Sequence, residues 1–306
     1  MNSSRRSVLL KKRMLQFGGG LVRTIFLLGV GYVTLYPLLF MISSSFMSVA
    51  DTLDATVVWL PSGANWFNFQ KAFELMKYGD ALKNTVTIVL PCVALQVVSS
   101  VFIAYGFARF KVKGLAILFG ILLFNIIVPT TCYMIPVYVL MSELKLIDTV
   151  WQFYIQALLG VGIRSALYIF IIRQFFRTMP KELEEAAFID GCNPFQTFLR
   201  IMVPNVKPAI LTVSVLSLVW YYNDSTFAGM LLNDNYPLAV AITTVGKTLE
   251  TNMQYLAGQA ITADLKILKG SIMAASCLIV VLPITAIYIL VQKHFTEGVE
   301  RTGIVG

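Results

Sequence analysis

Apolar residues gather into six long blocks separated by short polar stretches. A membrane-spanning helix needs about 20 mostly apolar residues. The first block runs from Thr24 to Phe46, with no charge before Asp51. The others run from Asn84 to Ala108, Leu115 to Met141, Val150 to Ile172, Ala209 to Leu232 and Gly270 to Gln292. Each predicts a transmembrane helix. Pro37, Pro91, Pro129, Pro136 and Pro283 fall inside these blocks. Neighbouring helices satisfy the carbonyls that a proline frees, so the prolines do not veto the spans. The first block is too long for the apolar core of a signal peptide and no small-residue cleavage site follows it promptly, so it is expected to remain as a helix. After Pro61, residues Phe69, Phe73 and Met76 recur at helical spacing and predict a short amphipathic helix at the outer interface.

Composition supports a membrane class. The chain has 306 residues, 57% hydrophobic and 13% charged, and a mean hydropathy of +0.75. A soluble domain carries roughly 25% charged residues. Half that share cannot coat a water-facing globule, so lipid must cover the apolar surface. The net charge of +8 does not point to nucleic acid, because the basic residues form short runs between apolar blocks rather than a stripe with interleaved aromatics. Cys92, Cys132, Cys192 and Cys277 form no CxxC pair, and His294 is the lone histidine, so no disulfide framework, metal site or histidine-based catalysis is expected.

The charges also orient the spans. Sixteen lysines and arginines fall before span one, between spans two and three, between spans four and five, and after span six. The same segments hold six acids, for a net +10, whereas the opposite loops hold seven lysines and nine acids. The positive-inside rule places both termini in the cytoplasm, as an even number of spans requires. The expected organisation is a basic cytoplasmic segment (1–23), a six-span domain (24–292) with a cytoplasmic loop (173–208), and a cytoplasmic tail (293–306).

That loop is longer than a turn needs and reads as two short helices. Pro180 suits a first helical turn, and Glu182, Glu184 and Glu185 complement the helix dipole. Gly191 suits the left-handed position after a helix end. Asn193 suits an N-cap, with Pro194 at the first helical position. Phe195, Phe198, Leu199 and Met202 form one apolar face, and Pro204 and Pro208 end the helix before span five. The loop is either a solvated connector or a docking device that carries force between a soluble motor and the membrane bundle.

The run Glu185-Ala186-Ala187, then Gly191, Ile201 and Pro204, resembles the EAA signature of ABC importer permeases: EAA, three residues, G, nine residues, I, one residue, LP. Val203 stands where leucine is usual. The stretches Met134 to Met141, Phe170 to Phe176 and Trp220 to Asp224 resemble carbohydrate importers in particular. The tail from Phe295 to Gly306 is similar to the smaller permease subunit of maltose-type importers, although it ends Gly303-Ile304-Val305-Gly306.

The resemblance implies an all-α, six-helix type I importer permease of the bacterial inner membrane, itself without cofactor or catalysis. Implied partners are a homologous second permease, two ABC ATPases that bind ATP and Mg, and an extracytoplasmic sugar-binding protein. Glu184, Glu185, Ala186, Ala187, Asp190, Gly191, Ile201 and Pro204 would couple to the ATPases. Glu297, Gly298, Gly303 and Gly306 would lie in a tail that reaches between them.

Inside the spans, charged groups are costly and mark functional candidates. Asp224 follows Trp220, Tyr221, Tyr222 and Asn223, a set of rings and polar groups suited to sugars; its alternative role is to cap a broken helix. At ~1.5 Å rise per residue, Arg164 lies within roughly 10 Å of Asp224 in depth, so it pairs with that acid, snorkels or meets a partner subunit. The chain lacks GxxxxGK[ST] and is not the ATPase. Three other readings stay open: an importer for a non-sugar solute, a membrane-embedded enzyme using Arg164 and Asp224, and an ion channel.

Overall fold

The computed structural model describes residues 2–255 and 260–303. Among them there is no β-strand. In chain order the helices are α1 (Asn2–Ser45), α2 (Val49–Leu53), α3 (Phe67–Leu75), α4 (Tyr78–Arg109), α5 (Leu115–Ile127) and α6 (Met134–Glu143). Next come α7 (Trp151–Leu158), α8 (Ser165–Thr178), α9 (Glu182–Ile189), α10 (Pro194–Thr197), a π-turn (Phe198–Met202), α11 (Val203–Asn205) and α12 (Lys207–Tyr222). The last are α13 (Thr226–Leu231), α14 (Leu238–Tyr255), α15 (Ala260–Ile267) and α16 (Lys269–Gly303).

Spans one, two and six are continuous apolar helices long enough to cross a bilayer: Gly18–Ser45, Tyr78–Arg109 and Lys269–Leu290. Pro37, Pro91 and Pro283 sit inside them, as expected. The other three blocks are each delivered as two helices with a break. Span three breaks at Pro129, where Val128 takes an extended conformation (ψ 122°). A residue before proline is pushed out of the helical region. Span four breaks after Leu158 and resumes at Ser165; span five breaks at Asn223 to Ser225. Irregular backbone at membrane depth is tolerated only where protein buries it or a cavity needs it.

The chain forms two compact units, residues 1–71 with 253–278 and residues 72–252 with 279–306. In the first, α1 leaves Ile25, Phe26, Leu28 and Val33 exposed, an apolar surface of the kind a spanning helix carries. Its outer loop is ordered by polar bonds. Asn68, fully buried, donates to the carbonyls of Ser45 and Met47 (both 2.9 Å). Asp51 forms a capping box with Ser48 and accepts from the Ser62 hydroxyl and amide. These bonds, led by the Ser62 hydroxyl, hold its carboxyl well below the usual carboxylate range. The predicted interfacial helix exists as α3; of its expected apolar positions Met76, just past the helix end, is buried and Phe69 half-buried, whereas Phe73 is exposed and packs edge-on against Tyr78, and Asn68 and Ala72 are buried beside them.

The second unit has two core layers. One gathers Ile88, Cys92, Phe153, Tyr221 and Leu231; the other gathers Ala104, Tyr168, Ile172, Phe176, Phe198 and Met202. The second layer joins α4, α8 and α12 to the π-turn of the loop. α1 runs unbroken through residue 23 and α16 through residue 293, so the basic and tail segments continue the helices of spans one and six.

Candidate functional site

The loop between spans four and five folds as two short helices with a closed corner. α9 begins at Glu182 with Lys181 as N-cap, so Pro180 lies just outside the helix rather than in its first turn. Gly191 has φ +81° and stands directly after the C-cap, Asp190. The Gly191 N–H donates to Phe188 (3.1 Å) and the Cys192 N–H to Ala187 (2.9 Å), the paired bonds of a Schellman end. Asn193 then forms a capping box with Gln196: its side-chain oxygen accepts from the Gln196 N–H (2.8 Å), and its own N–H donates to the Gln196 side chain (3.0 Å). The apolar face of the next segment divides. Phe198 and Met202 enter the core, while Phe195 and Leu199 remain exposed. A 75° bend separates Pro194–Asn205 from α12, with Pro204 and Pro208 each in the first turn of a new helix. Ile201 and Pro204 belong to that bent connection.

α9 is fastened from one side. The Tyr105 hydroxyl donates to Glu184 Oε1 (2.9 Å), and Arg109 Nε lies 3.4 Å from Glu184 Oε2 as an ion pair. Arg109 also donates to the Met179 carbonyl (3.1 Å). Ala187 is the buried residue of α9, whereas Glu185, Ala186, Ile189, Asp190 and Gly191 face outward. The loop thus presents an exposed surface of mixed apolar and acidic character from a rigid base.

A second cluster lies where spans three, four and five break. α7 ends in the same way as α9: Gly160 has φ +70°, its N–H donates to Ala157 (3.2 Å), and the Val161 N–H donates to Gln156 (3.0 Å). Arg164 takes a left-handed conformation (φ +57°) before α8. It does not pair with Asp224; its guanidinium lies over the Trp220 ring, 4.3 Å from the centroid. Asp224 accepts from the N–H groups of Thr226 (3.2 Å), Phe227 (3.0 Å) and Ala228 (3.1 Å), and so caps α13.

Tyr221 and Tyr222 turn inward: the Tyr221 hydroxyl lies 3.2 Å from Gln96 Oε1, and the Tyr222 hydroxyl donates to the Val280 carbonyl (2.5 Å). Trp220 and Asn223 are exposed. Gln96, fully buried, also accepts from the Ser165 hydroxyl (2.9 Å). A Cβ on Gly162 would collide with the Tyr221 hydroxyl and the Gln96 amide oxygen, so the break is pinned from within. Among the described residues, no cluster of His, Cys, Asp or Glu is arranged to hold a metal.

The sequence pattern described as "Binding-protein-dependent transport system inner membrane component" matches residues 21–301. The chain belongs to this family. LplC of Bacillus subtilis is 30% identical over 284 residues, which cover 92% of this chain and 93% of LplC. The maltodextrin transport system permease protein MalD of Streptococcus pneumoniae is 27% identical over 302 residues, 98% of this chain and 99% of MalD. Among solved structures, a bacterial ABC transporter involved in the import of the acidic polysaccharide alginate shares the fold, with a TM-score of 0.73 and 24% identity over 90% of this chain and 96% of that one.

As an inner membrane component of a transport system, the chain is a multi-pass, non-catalytic subunit. Of the expected tail residues, Glu297, Gly298 and Gly303 lie along the backbone of α16, and Gly306 lies outside the described residues. The roles of Tyr105, Arg109 and Gln96 escape a reading along the chain, because each lies inside or at the end of an apolar block. The span-four break had a signal in the Gly160-x-Gly162 pair.

Proposed function

We propose that the chain is one transmembrane permease subunit of an ATP-driven oligosaccharide importer. The observation that carries this reading is the α9 segment, with its family signature, held by Glu184 on one side and left exposed on the other. In this reading the exposed surface of Glu185, Ala186, Asp190 and Gly191 docks on an ABC ATPase, the only place where ATP and Mg bind. Both termini and the docking loop face the cytoplasm. The other partners are a homologous permease, a second ATPase and an extracytoplasmic sugar-binding protein. The tail through Glu297, Gly298, Gly303 and Gly306 contacts the ATPase pair. Trp220, Asn223 and Asp224 border the sugar path, with Tyr221 and Tyr222 bracing it from behind. The names of MalD and of the alginate transporter support a carbohydrate cargo.

The mechanism is alternating access. ATP closes the ATPase pair, the docking helices follow, and the bundle opens outward to receive sugar; hydrolysis resets it. Coupling requires that ATP binding distinguish the two states energetically. The deciding experiment is co-purification of the complex, reconstitution, and uptake measured with its binding protein. ATP-dependent uptake of an oligosaccharide is expected. ATP-dependent uptake of peptides or amino acids alone, or chemical turnover by the isolated chain, overturns the reading.

A further inference from the structure

Three broken spans bring their irregular segments together. Arg164 stands at the span-four break, Trp220 and Asn223 at the span-five break, and Tyr133 at the span-three break, its ring stacked on Phe227 with centroids 6.0 Å apart. A small open cavity beside these breaks is lined by Tyr133, Gln156, Gly162, Tyr221 and Phe227; Arg164, Trp220 and Asn223 lie outside that lining. Arg164 is exposed on this cluster and lies over Trp220. Among the described residues it has no carboxylate partner. Asp224, the acid within span five, is engaged by three backbone N–H groups instead.

A guanidinium at membrane depth without an acid is costly. The backbone there is also strained, since a left-handed conformation at a non-glycine costs about 1–2 kcal/mol. Stacking on a ring orients the guanidinium plane and leaves its N–H edge free for a bidentate acceptor. Neutral sugar hydroxyls are met equally well by amides. A fixed cation is matched by a carboxylate.

We propose that this cluster selects an acidic oligosaccharide, with Arg164 pairing a uronate carboxylate and Trp220 holding the guanidinium in place. The proposal rests on the sugar-importer reading and names its cargo. Asn223, whose amide NH2 donates to Val219 (2.8 Å), presents its remaining acceptor to the hydroxyls of the same sugar.

The test uses the complete reconstituted complex with its binding protein. Uptake of trigalacturonate is compared with uptake of its fully methyl-esterified, neutral counterpart. The wild-type complex is expected to carry the acid. R164Q is expected to lower the ratio of acid to ester uptake by about tenfold, the loss of one charge-assisted contact, and R164K to restore part of it. Transport of the ester with no transport of the acid overturns the proposal while leaving the sugar importer intact. So does an R164Q variant with an unchanged ratio. Uptake of neither sugar, with uptake of a non-sugar solute, overturns both. Where R164Q fails to assemble, the wild-type comparison alone still decides: exclusion of the acid overturns the proposal.

Discussion

The Glu184 carboxylate and the Arg109 guanidinium meet at 3.4 Å, joining the loop helix α9 to the last residue of α4. Both side chains are largely buried, at 14% and 8% exposure, so the pair is poorly screened. Removing one partner strands the other. R109A is expected to destabilise the α9–α4 junction by about 2 kcal/mol. E184Q keeps the Tyr105 bond and should cost less. In the assembled transporter both variants should raise the ATP hydrolysed per sugar carried. A double-mutant cycle checks the pairing, with an interaction energy of about 1 kcal/mol expected and additivity as the opposing result.

Gly191 has open space around its Cα, and its φ is +81°. A side chain there is therefore penalised by backbone conformation and not by collision. G191V is expected to cost about 1–2 kcal/mol at the corner, and G191N less, because asparagine tolerates the left-handed region. Membrane insertion should be unchanged, and sugar uptake should fall in the order wild type, G191N, G191V. Equal uptake by all three would show that the corner does not carry force.

The charge distribution predicts topology. Reporter fusions at Ser62 and Asn252 should read as external and a fusion at Asn193 as internal, because sixteen basic residues lie on the Asn193 side. One reversed result from a well-expressed fusion breaks the six-span arrangement.

Neighbours in span five should differ sharply in accessibility. In a chain whose four free cysteines are replaced by alanine, W220C and N223C should react with a polar thiol reagent in a nucleotide-dependent way. Y221C and Y222C should resist it, because both tyrosines are 5% exposed. Uniform labelling of all four positions would contradict the packing of α12.

The outer loop should loosen in acid. Because the folded Asp51 carboxyl is held below its ordinary value of 3.8, its contribution is complete above that pH and is lost as pH falls below it. Amide protection factors in residues 48–62, taken relative to intrinsic exchange at each pH, should fall below about pH 4 and stay level between pH 5 and 8. D51N should remove that acid-dependent step.

Much of this protein is local, and the local part is legible along the chain. Apolar length marks spans one, two and six, because a bilayer asks only for about 20 residues of the right polarity. The Gly191 corner and the Asn193 box follow from residues no more than five positions apart. The breaks and facings are not local. A span that is apolar all round carries no amphipathic mark of which side meets lipid and which meets protein. Tyr221 turns inward to reach Gln96, 125 residues away, and Glu184 is held by Tyr105, 79 residues away. Counting residues along the chain gives Arg164 and Asp224 a similar expected depth, yet depth does not set direction. Arg164 stacks on Trp220 and Asp224 caps α13, because both spans are broken and the freed backbone amides reach the carboxylate first.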